Sequence, residues 1–275
     1  MRFKTMFSPV QIGPMTVKNR FVVPPMGNNF ANTDGTWSDQ SVAYYAERAK
    51  GQFGLITIEA TVVHNDAKGG PRKPCLYSDA SIESLKKITD ACHAQGAKVS
   101  IQLQNAGPEG NAVNAGAPIV AASAIPAVFG RDIPVEVSTE RVYELVKGYG
   151  DAAERAMKGG ADAVEIHMAH GYLVNSFISP RTNKRTDEFG GNFENRMRFP
   201  RLIVEEEWAA KLPSWPASTA PTRWRAATTC TTAQPSQHTW RTAAWRDCMY
   251  PVPCTSRTST CGRPQPCTQD FPLNS

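Results

Sequence analysis

Long hydrophobic runs are missing from this 275-residue sequence. No stretch approaches the about 18 consecutive apolar residues that a membrane-spanning helix needs. The opening stretch MRFKTMFSPVQIGPM has neither the apolar centre nor the small-residue cleavage site of a secretory leader. A soluble, cytoplasmic protein with no membrane partner is the expectation. Cysteine is scarce too: the first 208 residues contain only Cys75 and Cys92. That excludes a disulfide framework there, and Cys92, inside a helical pattern, reads as a small buried side chain. No C-x-x-C spacing occurs anywhere, so a structural zinc site is not expected.

The last 67 residues, Ala209–Ser275, lack other things. They contain no Glu, one Lys and one Gly, and their only Leu, Ile or Val residues are Leu212, Val252 and Leu273. Twelve Thr, nine Pro, five Cys and four Trp take their place. So few aliphatic side chains cannot offset the entropy of ordering the segment. The composition is what a GC-rich gene gives when read out of frame, and a frameshift product is the leading expectation, with a disordered tail as the alternative. The net charge of +5 comes entirely from this tail, because residues 1–208 carry 23 basic and 23 acidic side chains. Its arginines are scattered among Thr, Pro and Ser rather than gathered on one face, so no nucleic-acid partner is expected.

The first 208 residues alternate between two periodicities. RFVVPPM (Arg20–Met26), LITIEA (Leu55–Ala60), KVSIQLQ (Lys98–Gln104) and AVEIHMA (Ala163–Ala169) read as four strands. Between them lie three amphipathic helices, from Ser38 to Gly51, Ser78 to Gly96 and Ser138 to Gly160, with serines placed to cap them and glycines to end them. FSPVQIGPMTVKN, before the first strand, reads as a small hairpin, and Asn105–Val137 as a long Gly/Pro/Ala excursion over the active face. This is an α/β pattern with parallel strands. It fits an open doubly wound sheet or a closed (β/α)8 barrel. No G-x-G-x-x-G follows any strand, which disfavours the dinucleotide-binding sheet. Polar or small residues instead occupy the carboxyl ends of different strands: Gly27, Glu59, Gln102 and His167. A barrel active site has that distribution.

The fourth strand leads into a mouth with His167, His170 and Tyr172. Imidazoles donate hydrogen bonds to a carbonyl or anionic oxygen, and a tyrosine donates a proton where negative charge develops. Activation of a carbonyl compound follows from those roles. Two other readings remain: a satisfied core histidine beside a packing ring, or a His-x-x-His metal pair in a metal-using barrel enzyme, for which no third ligand is evident.

FSPVQIGPMTVKNRFVVPPM, GLITIEATVV, ACHAQGAKVSIQLQNAG and, above all, VEIHMAHGYLVNSFISPRTNKRTDEFGGNFENRMRF resemble the old yellow enzyme family of flavin-dependent ene-reductases, near its 2-enoate and 2,4-dienoyl-CoA reductases. The likeness covers residues 1–206. It implies a (β/α)8 TIM barrel truncated to about its first four β/α units, with residues 1–207 as the FMN-binding half and 208–275 as an unrelated tail. It implies FMN as cofactor, NADH or NADPH as reductant, and reduction of the activated C=C bond of a small enone, enoate or enoyl thioester. By motif, Pro24, Pro25, Met26 and Gly27 would line the flavin, Ala60 would approach its pyrimidine edge and Gln102 would hydrogen-bond to it. His167 and His170 would hold the substrate carbonyl oxygen, and Tyr172 would protonate the other alkene carbon. Arg181, Arg185, Asp187 and Arg196 would fasten the loop after the fourth strand rather than react.

Two departures qualify the likeness. The family's His-Ala-Gly-Arg after the third strand is Asn105-Ala-Gly-Pro108 here. The strands beyond the fourth, with their flavin-facing basic residue and phosphate-gripping loops, have no counterpart, nor does the cysteine cluster that holds an iron–sulfur centre in larger members. An inactive truncated or frameshifted fragment is therefore the alternative. Half a barrel with two unpaired edges and an apolar interior is expected to aggregate and to retain little flavin. No motif bears on oligomeric state.

Overall fold

The computed structural model describes residues 3–127 and 132–204; the expected tail from residue 208 lies outside them. Strands β1 (Val10–Ile12) and β2 (Met15–Val17) pair antiparallel as the expected hairpin. Strand β3 is only Val22–Val23, shorter than the run from Arg20 to Met26. Pro24 and Pro25 have no N–H to give a ladder, so pairing stops before them.

Helix α1 (Asp39–Lys50) starts at Ser38, whose hydroxyl accepts from the backbone N–H of Ser41 at 3.2 Å. Strand β4 (Leu55–Val62) outruns its expected end at Ala60. A 3-10 turn (Asp79–Ser81) leads into α2 (Ile82–His93), then β5 (Lys98–Gln104). The register between β4 and β5 slips between Ile58 and Thr61, which leaves Glu59 and Ala60 in a bulge.

The excursion after β5 has structure of its own. It holds a 3-10 turn (Gly107–Glu109), α3 (Ala112–Ala115), and β6 (Val120–Ala121) paired with β7 (Val135–Glu136). Helix α4 (Thr139–Lys158) is capped by the Ser138 hydroxyl, which accepts from Arg141 N–H at 3.2 Å. Strand β8 (Ala163–Ile166) follows, then α5 (Leu173–Ile178), α6 (Phe193–Arg196) and α7 (Arg198–Leu202). All of these belong to one compact unit.

The central sheet has the order β3-β4-β5-β8, all parallel. Chain-adjacent parallel strands need helical crossovers, and α1, α2 and α4 supply them. Register sorts the side chains by face. Ile56, Ile58, Val99, Ile101, Leu103, Val164 and Ile166 share one face and pack with Leu85, Ile88, Val142, Leu145 and Tyr149 of the helices. Each such buried aliphatic side chain contributes about 1.5–3 kcal/mol relative to exposure. The opposite face carries Thr57, Ser100, Gln102, Gln104 and Glu165. The expected apolar interior is thus corrected: the strands alternate, and the face away from the helices is largely polar.

The loop after β8 is tied down by Arg185, Asp187 and Arg196 as expected, but not by Arg181, which is exposed and among the described residues bonds only through its backbone N–H, to the Ser179 hydroxyl. Arg185 is buried; it donates to Asp187 and to the backbone carbonyls of Ala122 and Val137, so it holds both ends of the excursion. Arg196 donates to the carbonyls of Ile178 and Gly191.

Candidate active site

The polar face of the sheet ends in a group of titratable side chains. Strand β8 stops at Ile166, short of the expected Ala169, but His167 N–H still donates to Leu103 carbonyl at 3.0 Å. His167 is therefore held in line with Gln102 and Glu165. The chain then turns through two left-handed residues, His170 at φ 59° and Gly171 at φ 80°. A non-glycine residue in that region is uncommon and points to a constrained turn. The reversal brings Tyr172, at the start of α5, back against the histidines. The ring centroids of His167 and Tyr172 lie 4.6 Å apart, those of the two histidines 5.1 Å, and those of His170 and Tyr172 6.4 Å, all edge to face.

Hydrogen bonds hold the His167 ring on both sides. Ala169 N–H donates to His167 Nδ1 at 3.3 Å, so that nitrogen is an acceptor and the ring proton sits on Nε2. His167 Nε2 lies 3.3 Å from His170 Nδ1, so its N–H faces that ring nitrogen. Burial, helped by the neighbouring His170, pushes the His167 pKa down from 6.5 to about 4. His167 is therefore neutral near pH 7 and acts as a hydrogen-bond donor rather than a fixed cation.

Gln102 and Glu165 stand opposite each other in the β5–β8 register, and Gln102 Nε2 donates to Glu165 Oε1 at 2.5 Å. Ala60 sits in the bulge of β4, next to Glu59. Glu59 is fully buried, and burial raises its pKa. Its Oε2 accepts from Asn28 N–H at 3.1 Å, and its Oε1 has no partner among the described residues. The carboxylate thereby ties the segment after Gly27 to the bulge. Pro25 is half-buried; Pro24, Met26 and Gly27 are exposed. A Cβ on Gly27 would come 3.0 Å from Lys73 Nζ.

The candidate residues thus fall into two sets at the carboxyl ends of adjacent strands. His167, His170 and Tyr172 touch one another, with Gln102 and Glu165 on the same sheet face. Pro24–Gly27 and Ala60 are joined through Glu59. The structural parts of Glu59, Lys73 and Glu165 were not assigned from sequence. Strand-end position marked Glu59 as polar, but only the bulge and the register reveal what these carboxylates hold.

Among the described residues no group of three His, Cys, Asp or Glu side chains could hold a metal ion, so the His-x-x-His pair lacks a third ligand there. A separate cleft of about 400 Å³ lies against α4, lined by His64, Arg141, Lys147 and Arg155 among others. Its cations are already paired, Arg141 with Asp66 and Glu144, Lys147 with Asp151, and Arg155 with Asp79. No described helix is long and apolar enough to cross a membrane.

A parallel α/β sheet with polar groups at its strand ends defines part of a barrel-type α/β protein. The chain belongs to the NADH:flavin oxidoreductase / NADH oxidase family, the old yellow enzyme family, which matches residues 5–210. It is 38% identical over 220 residues to NADH oxidase of Thermoanaerobacter brockii, covering 78% of this chain and 34% of that protein. It is 41% identical over 204 residues to NADPH dehydrogenase of Bacillus subtilis (strain 168), covering 74% of this chain and 60% of that one. The solved structure of an old yellow enzyme homologue from Zymomonas mobilis superposes with a TM-score of 0.71 at 33% identity, over 75% of this chain and 60% of the other. The resemblance drawn from sequence is borne out at the level of the family. The chain spans between a third and three-fifths of the length of these relatives.

The residues present suit the flavin ring of FMN. Ala60 presents only a methyl group at the bulge, Pro25 is a half-buried apolar ring, and Gln102 Oε1 has no partner among the described residues. A planar heterocycle with an imide edge needs those features.

Proposed function

We propose that this chain carries the ring-facing and substrate-facing residues of an FMN-dependent NAD(P)H oxidoreductase. It would reduce the activated C=C bond of an α,β-unsaturated carbonyl compound, and its sheet would be four consecutive strands of a (β/α)8 barrel. The observation that carries the reading is the convergence of His167, His170 and Tyr172 beyond β8. Pro24, Pro25, Met26 and Gly27 would line the ring, Ala60 would approach its pyrimidine edge, and Gln102 would hydrogen-bond to that edge. When bound and reduced by NADH or NADPH, FMN supplies the hydride for the substrate's β-carbon.

The protein's own groups supply orientation and polarity. A carbonyl oxygen entering between the rings would take the Nε2–H that His167 turns toward His170 Nδ1, and His170 would offer its own N–H beside it. Donors fixed in advance stabilise the negative charge that develops there. Neutral His167 does so without a buried charge to solvate. Tyr172 O–H donates its proton to the α-carbon. An enone, an enoate and an enoyl thioester all present the needed carbonyl. The names of the two relatives support a nicotinamide reductant and favour neither NADH nor NADPH.

The test is a titration of FMN into the purified chain, followed by anaerobic reduction. Saturable quenching of flavin fluorescence is expected, then bleaching by NADH or NADPH and return of colour on adding a cyclic enone. His167→Ala with His170→Ala should slow only the return of colour. Absence of saturable binding, or an undiminished return in the double variant, overturns the proposal.

A further inference from the structure

A carboxamide has a donor end and an acceptor end of nearly the same shape. Packing alone barely distinguishes them, so a buried glutamine needs a partner to decide which way it faces. Gln102 has such a partner. It lies directly opposite Glu165 in the parallel β5–β8 register, both side chains are on the same face, and each residue is 8% exposed. Gln102 Nε2 donates to Glu165 Oε1 at 2.5 Å. A carboxylate oxygen only accepts, so it draws the amide nitrogen toward itself. The amide oxygen is left for something else, and it has no partner among the described residues.

We propose that Glu165 is a positioning residue. It orients the Gln102 amide so that Oε1 faces the strand-end mouth as an acceptor, and it thereby selects a ligand with an N–H between two carbonyls. That is the imide edge of a flavin, so the inference rests on the flavin reading above. With the amide reversed, the imide N–H would meet another donor. Glu165 touches neither cofactor nor substrate in this account; it acts through Gln102.

The test compares FMN with its N3-methyl analogue, in which the imide N–H is gone, by fluorescence titration of the full chain. The wild type should prefer FMN by about tenfold, the worth of one net hydrogen bond in a favourable setting. Glu165→Ala should bring the preference close to unity. Glu165→Gln, which fills the same volume and can either accept or donate, should retain an intermediate preference. Thermal melts identify a variant that fails to fold, and the isosteric glutamine then carries the test. Gln102→Ala should lose the preference as well, and adding Glu165→Ala to it should change nothing further. If Gln102→Ala loses the preference while the Glu165 variants keep it in full, the orienting role is wrong and the flavin reading stands. If Gln102→Ala binds both flavins as the wild type does, the placement of Gln102 at the ring is wrong, and with it the role of Glu165. If the wild type binds neither flavin, both fall.

Discussion

His167 links stability to chemistry in one side chain. Its folded pKa of about 4 lies below the 6.5 of an unperturbed imidazole. Between those values the unfolded chain binds a proton that the folded chain does not, so acid favours unfolding. The contribution is fully present above pH 6.5 and is lost as the pH falls toward 4, on the order of 3 kcal/mol. Asp66, Asp162 and Asp187 are held below their ordinary values and lose their contributions only at lower pH. Glu59 is raised by burial and works in the opposite sense to His167. The urea midpoint of His167→Asn should therefore change less than that of the wild type between pH 7 and pH 5. An identical pH response in the two proteins would show that His167 is not the titrating group. Tyr172→Phe tests the neighbouring ring: it should leave bleaching by NADPH unchanged and slow the return of flavin colour by about a hundredfold or more. The three members of this cluster were legible in the sequence because they lie within six residues of one another, from His167 to Tyr172. Glu165 and Gln102 are 63 positions apart, and only the strand register pairs them.

At the scale of elements, the same register decided what could be foreseen. Helices α1 and α4 begin at the serines that spacing had marked, because a cap is a local interaction. The bulge at Glu59–Ala60 was not visible, because it depends on how two strands slide past each other. Nor was the pairing of β6 with β7, where a Pro- and Ala-rich excursion masks two short strands. Arg185 joins these parts. Its side chain is 4% exposed and bonded to Asp187 and two carbonyls, so Arg185→Met would leave a carboxylate and two carbonyls without a donor. The expected loss is about 3–5 kcal/mol by urea denaturation, with faster proteolysis between residues 122 and 137. Lysine should not rescue it, since one ammonium cannot reproduce the fork. Gly107 is the other joint. Its φ is 53°, and a Cβ there would come 2.6 Å from the backbone of Leu173. Gly107→Ala should cost about 2–4 kcal/mol, through left-handed strain and the clash together. It should also disturb Tyr172, the residue before Leu173, and so slow the return of flavin colour more than it weakens flavin binding.

The whole molecule raises the question of how much of a cofactor this set of residues can hold. The matched region contributes strand-end groups suited to a ring, yet its 23 basic and 23 acidic side chains over residues 1–208 set up no net field for an anion. In the family, the phosphate is expected to be gripped by loops after later strands, for which the described residues have no equivalent. Each charge-assisted hydrogen bond to a phosphate is worth about 1.5–3 kcal/mol, so a gripped phosphate separates FMN from riboflavin by tenfold to more than a hundredfold. The polar face of the sheet does not alter this, because Gln102, Gln104 and Glu165 sit on or at the end of strands rather than at a helix start or an anion-binding loop. Riboflavin and FMN should therefore bind this chain with dissociation constants within about threefold of each other. Flavin added in solution should bind reversibly and be lost during gel filtration. A hundredfold preference for FMN, or a stoichiometric flavin spectrum after purification, would mean that residues outside 3–127 and 132–204 supply the phosphate site. The ring contacts proposed here would then be only part of what holds the cofactor.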